Sequence, residues 1–131
     1  MKRAQRERFD ALVEQVIAAL PQGIARLLEE VAVVVEDMPD EAILADLGMK
    51  PEEAKELCGL HTGVANTEVT VESPGELPSQ IMLFRVGILA EAGGWESGDE
   101  AISHEVRITL LHEIGHQFGL DEEDLRRLGY D

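Results

Sequence analysis

Residues 97 to 122 read SGDEAISHEVRITLLHEIGHQFGLDE, and the apolar residues in this stretch have helical spacing. One ridge repeats every four positions: Ile102, Val106, Leu110, Ile114 and Phe118. Ala101, Ile108 and Leu111 widen the apolar surface, and a helix that is apolar over most of its circumference is typically buried. Ser97 and Glu100 have capping-box spacing, and Gly119 fits a C-terminal cap. We therefore predict a central helix over residues 97–119.

Two histidines and a glutamate in this helix form the pattern H-E-x-x-H. His112 and His116 are one turn apart on the same face, so both imidazoles can offer a nitrogen to one zinc ion. Glu113 lies about 100° further round the helix, where it can act as general base on metal-bound water without ligating the metal. A solvated polar face is the alternative, but three titratable groups on a narrow polar sector of a buried helix favour zinc.

The third metal ligand is sought among the 15 residues after His116, too few to add a separate helix with a distant glutamate ligand. Gly119 allows a sharp turn, and the extended pattern H-E-x-x-H-x-x-G-x-x-E favours Glu122. In the competing interpretation, Asp121 is an N-cap and residues 122–124 complement a helix dipole. An upstream ligand or a water is also possible. The other downstream acidic residues are Asp121, Glu123, Asp124 and Asp131.

The rest of the chain alternates helical and strand-like segments. The periodicity predicts a helix over Arg3–Leu20, ended by Pro21 and Gly23. Further segments are a short helix near residues 24–28, strands at 31–35, 60–65 and 80–85, a weakly helical stretch at 41–57, a loop or hairpin at 66–79, a helical turn at 87–92 and a last helix at 122–128. Without a repeat or linker, this order predicts one α+β domain over residues 1–131, with the N-terminal helix within 1–21.

Composition limits the possible partners and compartment. With 11 basic and 27 acidic residues, the net charge of −16 disfavours nucleic acid and anionic membranes as partners. The single cysteine, Cys58, suits a reducing compartment. No apolar signal-peptide core and no membrane-length apolar run is found in the sequence. We therefore expect a cytoplasmic protein, and favour a monomer.

Several stretches of the chain resemble one known family. Residues 110–122, followed by Leu125 and residues 128–130, are similar to the bacterial minimal zincin-like metallopeptidases, as are residues 31–37 and 76–84. The resemblance spans about residues 22–130 and implies a small mixed sheet packed on two main helices, with an acidic third ligand. It carries His112, Glu113 and His116 over directly. Position 122 is commonly Asp in that family, so Glu122 is a conservative but longer replacement.

Other residues are candidates for supporting roles. Residues 80–85 are either an edge strand that pairs with an extended substrate or an ordinary central strand. The available donors for the transition-state oxyanion are His61, Arg85 and Tyr130, although each is more readily explained as structural. Thr109 and Glu105 share the face of His112 and are candidates for orienting a ligand imidazole. His104 and Cys58 are interpreted as structural or surface residues, and Trp95 closes either the cleft or the core.

These features together predict a zinc metallopeptidase. It would hydrolyse a peptide or protein substrate with metal-activated water, using Glu113 as general base and His112, His116 and Glu122 as ligands of Zn²⁺. One alternative is a non-catalytic zinc- or peptide-binding module that keeps the zincin site. A structural zinc site, closed by four protein ligands, is the other.

Overall fold

The structure, a computed structural model, describes residues 1–62 and 79–128. In these residues three strands form one mixed sheet: β1 (Ala32–Glu36), β2 (Gly59–Thr62) and β3 (Gln80–Phe84). The strand order is β1-β3-β2, with β1 parallel and β2 antiparallel to the central strand β3. The predicted α+β class with a small mixed sheet is confirmed. The loop or hairpin predicted at residues 66–79 falls almost entirely outside the described residues.

Six α-helices accompany the sheet in the described part of the chain. They are α1 (Arg3–Ala18), α2 (Gln22–Leu28), α3 (Glu41–Leu47), α4 (Arg85–Ala92), α5 (Asp99–Phe118) and α6 (Glu122–Arg127). Short 3-10 helices cover Pro51–Glu56 and Trp95–Ser97. None of the helices described is long and apolar enough to cross a membrane.

The core lies where α1, α4 and the sheet surround α5. Four of the five residues of the predicted α5 ridge are completely buried, and they meet Phe9 of α1 and Ile81 of β3 in one apolar cluster. Burying one such side chain contributes about 1.5–3 kcal/mol. The same packing fixes the direction in which the polar side of α5 points. Phe118 is only partly buried, at the edge of the cluster.

An exposed ridge of α5 corrects the prediction that this helix is buried over most of its circumference. His104, Ile108, His112 and His116 are spaced by four residues and are all exposed. Ile108, which is predicted to widen the apolar surface, is 41% exposed. Both H-E-x-x-H histidines thus lie on a solvent-facing ridge, whereas Glu113 beside them is buried.

The start of α5 differs from the predicted capping box. The N-cap residue is Gly98, with φ 92°, and no side chain caps the helix. The Ser97 hydroxyl instead donates to the Gly94 carbonyl oxygen at 2.7 Å, closing the preceding 3-10 turn. The prediction was wrong because a serine can also bond to the backbone of its own turn. Gly119, in contrast, is the left-handed C-cap that the sequence predicts, with φ 65° and ψ 33°.

Candidate metal centre

The exposed ridge of α5 brings the two motif histidines together. The ring centroids of His112 and His116 are 4.2 Å apart, and the ring planes are inclined at 68° to each other. The His116 side chain is 50% exposed, so an ion in solvent can reach it. One helical turn separates the two residues, as the motif spacing requires.

Glu113 lies on the inner side of this pair, covered by strand β2. Its side chain is only 9% exposed, although a carboxylate is costly to bury without a partner. The strand approaches this closely because residue 59 is glycine: a Cβ there would stand 2.7 Å from Cγ2 of Thr109 and 3.2 Å from Cγ of Glu113. Gly59 therefore sets how closely the sheet covers the glutamate.

Strand β2 also brings His61 to the motif. Its Nδ1 lies 3.5 Å from Oε1 of Glu113, and the His116 Nδ1 lies 3.5 Å from the same oxygen. One ligating atom from each of His61, Glu113 and His116 falls within 4.8 Å of the others, a grouping that can hold a metal ion. His61 Nδ1 is buried without a hydrogen-bond partner in the described structure. From the sequence, His61 is a candidate only as an oxyanion donor.

A groove of about 360 Å³ runs beside His112 and Glu113. It is lined on one side by α5, through Glu105, Ile108 and Thr109, and on the other by residues 56–59. Thr109 and Glu105, the predicted supporting residues, thus line the same groove as His112. Cys58 also lines the groove, and burial raises the pKa of its thiol, helped by nearby Glu91, Glu105 and Glu113 carboxylates.

The turn after α5 leads directly to the predicted third ligand. The amide of Leu120 donates to the Gly115 carbonyl oxygen at 2.8 Å. A Cβ at Gly115 would stand 3.0 Å from the Leu120 carbonyl oxygen, so the x position before the second histidine must be small. Gly119 supplies the left-handed conformation at the turn.

Asp121 and Asp124 are engaged in the cap of α6. The Asp121 carboxylate accepts from the amide of Asp124, and the Asp124 carboxylate accepts from the amide of Asp121. The first of these bonds is the main reason why the pKa of Asp121 is lowered. The N-cap interpretation of Asp121 is therefore confirmed. Glu122 and Glu123 remain to be considered as metal ligands.

Glu122 and Glu123 follow the cap on the solvent side of α6. Glu123 pairs with Arg127 at 2.9 Å. The Glu122 side chain is 84% exposed, and its carboxylate lies 3.8 Å from the nearest nitrogen of Arg126. This ion pair is looser than that of Glu123. Neither Glu122 nor His112 is among the three residues whose ligating atoms are grouped. Asp131, the remaining candidate, lies outside the described residues.

Two other predicted site residues have structural positions. Arg85 is buried and donates to Asp10 at 3.0 Å and to Asp37 at 2.8 Å, so its guanidinium is held by carboxylates and is unsuited to an oxyanion. Trp95 packs against the core under the guanidinium of Arg8 and does not line the groove beside His112. The third candidate donor, Tyr130, lies outside the described residues.

The position of β3 settles one open alternative. Residues 80–84 form the central strand, so this segment is not the edge strand that would receive a substrate. In the described sheet the edge beside α5 belongs to β2, which pairs with β3 alone. The sequence did not distinguish the two positions because alternation and β-propensity do not fix strand order.

The sequence model of the zincin-like metallopeptidase family matches residues 28–130. The chain belongs to this family. As a zincin-like metallopeptidase it is, in general terms, a zinc-dependent peptidase. The match begins within α2, so it includes the sheet, α5 and α6 but not α1. No curated protein matches the chain.

The donors at the site suit zinc. Imidazole nitrogen and carboxylate oxygen are ligands that zinc commonly takes in proteins. The His61 Nδ1 is buried and makes no hydrogen bond in the described structure, so it is the kind of polar atom that a bound ion would satisfy. The chemistry of the residues present therefore agrees with the metal that family membership implies.

Proposed function

We propose that this zincin-like metallopeptidase hydrolyses peptide bonds, with His112, His116 and Glu122 holding zinc and Glu113 acting as general base. The observation that carries the proposal is the position of Glu113. Its buried carboxylate lies within 3.5 Å of an imidazole nitrogen of His116, at the inner side of an otherwise exposed histidine pair. A base must be within reach of the reacting water yet shielded from bulk solvent.

Each residue has a distinct task in this mechanism. A bound zinc ion would supply Lewis acidity, polarising the scissile carbonyl and acidifying water. Glu113 accepts the proton of the attacking water at its carboxylate and delivers a proton to the amine that leaves. The sheet covers Glu113 and excludes bulk water from one side of it. The exposed histidine ridge leaves the opposite side open to a substrate.

The β2 edge is the proposed binding place for the substrate backbone. An extended peptide can add a strand to an open sheet edge through main-chain hydrogen bonds. Strand β2 carries Gly59 next to Glu113 and His61 next to both Glu113 and His116. A peptide paired with β2 would therefore pass directly over the reacting groups. The groove beside His112 offers about 360 Å³ for a substrate side chain.

Glu122 remains the preferred acidic ligand among the described candidates. Asp121 and Asp124 are committed to the cap of α6, and Glu123 is paired closely with Arg127. Glu122 is the first residue of α6 and has the loosest ion pair of the group. Its side chain can therefore change rotamer toward the metal at little cost.

The decisive experiment separates the enzyme from a non-catalytic zinc- or peptide-binding module. We expect Glu113→Gln to retain zinc and to lose most turnover across a broad peptide library, since general base catalysis contributes roughly 10²–10⁴-fold. Glu100→Gln, an exposed glutamate in the first turn of the same helix, is the matched control and should leave turnover unchanged. Equal turnover by wild type and Glu113→Gln would contradict the enzyme proposal.

A further inference from the structure

We propose that His61 is a positioning residue for the general base: a hydrogen bond from its Nδ1–H to Oε1 of Glu113 holds that carboxylate during the reaction. This inference rests on the proposed function, in which Glu113 accepts the proton of the attacking water. It adds a residue from strand β2, about fifty residues earlier in the chain than the motif. The edge strand would then take part in catalysis through the base and not through the metal.

The distance between the two side chains carries the first step. Nδ1 of His61 lies 3.5 Å from Oε1 of Glu113. An N–H···O hydrogen bond is usually about 2.7–3.2 Å long, so the two atoms need to approach by only a few tenths of an ångström. Hydrogen bonds at a catalytic base are often long before substrate binds and shorten in the complex. The separation therefore suits a hydrogen bond that tightens when the site is occupied by substrate.

The burial of both groups carries the second step. His61 Nδ1 is shielded from solvent and makes no hydrogen bond in the described structure, although the side chain as a whole is 33% exposed. The Glu113 side chain is only 9% exposed. A buried donor and a buried carboxylate each need a partner, and one bond between them satisfies both. Zinc could also satisfy Nδ1, but a fourth protein ligand would close the position that a catalytic site keeps for water.

The register of β2 carries the third step. Gly59 and His61 are two residues apart, so their side-chain directions share one face of the strand. The direction from Gly59 points at Thr109 and Glu113 of α5. His61 consequently faces the same helix, one step further along the strand, and its pairing with Ile81 on the central strand holds its backbone. The sheet therefore determines where the imidazole lies.

A hydrogen bond at Oε1 would restrict how the Glu113 carboxylate turns. The last torsion of a glutamate side chain has a broad range of allowed angles, so the carboxylate does not fix its own orientation. With Oε1 held by His61, Oε2 is left to accept the proton of the water. Misplacing a catalytic group by about 1 Å can reduce the rate by about 10²-fold. Loss of His61 should therefore reduce turnover without weakening the binding of substrate.

Kinetics of variants at position 61 test this role on a library peptide that the wild type cleaves. We expect His61→Ala to lower kcat by roughly 10–100-fold, with KM and zinc affinity as in wild type. His61→Asn should recover most of this loss, because its amide can place an N–H near the Nδ1 position. The amide of His61→Gln lies one bond further out and should not. His104→Ala removes an exposed histidine of α5 and should leave kcat unchanged. Circular dichroism checks that each variant is folded.

A double-mutant cycle distinguishes positioning of the base from direct action on the substrate. In the Glu113→Gln protein, His61→Ala should cause little further loss of turnover, because a positioning residue acts only through the base. Equal losses in both backgrounds would overturn the inference. If folded His61→Ala keeps the wild-type kcat while Glu113→Gln loses it, the inference fails and the proposed function stands. Unchanged turnover in Glu113→Gln would contradict both.

Imidazole ¹⁵N spectra of the full chain test the hydrogen bond without a substrate. The tautomer of a histidine is set by its hydrogen bonds, and a lone pair on Nδ1 facing the Glu113 carboxylate would be repelled. The His61 signals, assigned by their loss in His61→Asn, should therefore show a proton on Nδ1. Added zinc should produce coordination-type shifts at His112 and His116 but not at His61. A neutral His61 ring with its proton on Nε2, or a coordination-type shift at His61, would overturn the inference.

Discussion

Gly59 lies directly against Glu113, so that a Cβ added to the glycine would stand 3.2 Å from Cγ of the glutamate. This contact joins the edge strand to the motif helix at the proposed general base. It also explains how a sheet of three described strands shields a carboxylate whose histidine neighbours are exposed. Substitutions at this contact should affect stability and catalysis together.

The first prediction concerns Gly59→Ala. The new methyl would stand 2.7 Å from Cγ2 of Thr109, and overpacking of this kind costs about 1–3 kcal/mol. We expect the free energy of unfolding in urea to fall by that amount, and turnover to fall because β2 must move away from Glu113.

Thr109→Ser provides the matched background for this test, because it removes the closest contacting atom and retains the hydroxyl. Gly59→Ala should therefore lower the free energy of unfolding less in the Thr109→Ser protein than in wild type. A double-mutant cycle would measure this as a favourable coupling energy. If the losses in unfolding free energy were additive, the Gly59–Thr109 contact would not limit how closely β2 approaches α5.

The second prediction compares two left-handed glycines. Gly119 caps α5 at φ 65°, and Gly48 caps α3 at φ 68°. Replacing either with Ala should reduce stability by about 1 kcal/mol, because a Cβ disfavours this conformation. Only Gly119→Ala should also weaken zinc binding, by about tenfold, since the turn at Gly119 leads to Glu122. Chelator competition and urea unfolding measure the two effects, and equal zinc affinity in both variants would count against a ligand after this turn.

The sequence was most informative where local spacing determines structure. The four-residue repeat from Ile102 to Ile114 predicts α5 and its buried ridge, and Gly119 predicts the end of the helix. The motif itself places His112 and His116 one turn apart. These features depend on contacts within a few residues, which periodicity and capping describe well.

The pairing of strands distant in sequence could not be predicted in the same way. The pairing of His61 with Ile81 joins residues 20 apart in sequence, and the pairing of Ala32 with Gln80 joins residues 48 apart. Nothing in the local sequence around Gly59 and His61 indicates that they face Glu113. A one-residue shift of register would turn both to the opposite face. The sheet side of the candidate site therefore became visible only from the fold.

The third prediction tests the acidic ligand with adjacent residues. Glu122→Gln should weaken zinc binding by at least the roughly 10–100-fold that outer-shell changes produce. Glu123→Gln is the matched control, because Glu123 is equally close to the start of α6 but pairs with Arg127. It should leave zinc affinity unchanged. If the two variants bind zinc equally well, Glu122 is not a ligand.

The fourth prediction concerns acid stability at Asp37. Hydrogen bonds from Arg6, and then from Arg85, lower the pKa of this carboxyl from 3.8 to about 2 and outweigh the opposing effect of burial. Because the folded-state pKa is the lower one, the stabilisation is present above about pH 4 and is lost as the pH falls towards 2.

Asp37→Asn should therefore lower the free energy of unfolding at neutral pH by about 1–2 kcal/mol, since partial exposure of the carboxylate weakens the pairing. The difference from wild type should shrink as the pH falls from about 5 to 2. Asp46→Asn, at an exposed position on α3, should follow the wild-type profile. If the difference in unfolding free energy between Asp37→Asn and wild type stayed constant with pH, Asp37 would not be the source of this pH dependence.

The last prediction is that removing zinc leaves the protein folded. The buried apolar cluster of α1, β3 and α5 is complete without any group from the candidate metal centre. A catalytic zinc site keeps an open position and is not required for folding, unlike a structural site closed by four ligands. Chelation should therefore preserve the far-ultraviolet circular dichroism spectrum.

Adding zinc should raise the melting temperature by mass action, corresponding to about 2.7 kcal/mol at a free concentration 100 times Kd. Glu113→Gln should show the same zinc-dependent rise, because it removes the base and leaves the ligands in place. Unfolding on chelation would instead identify the zinc as structural.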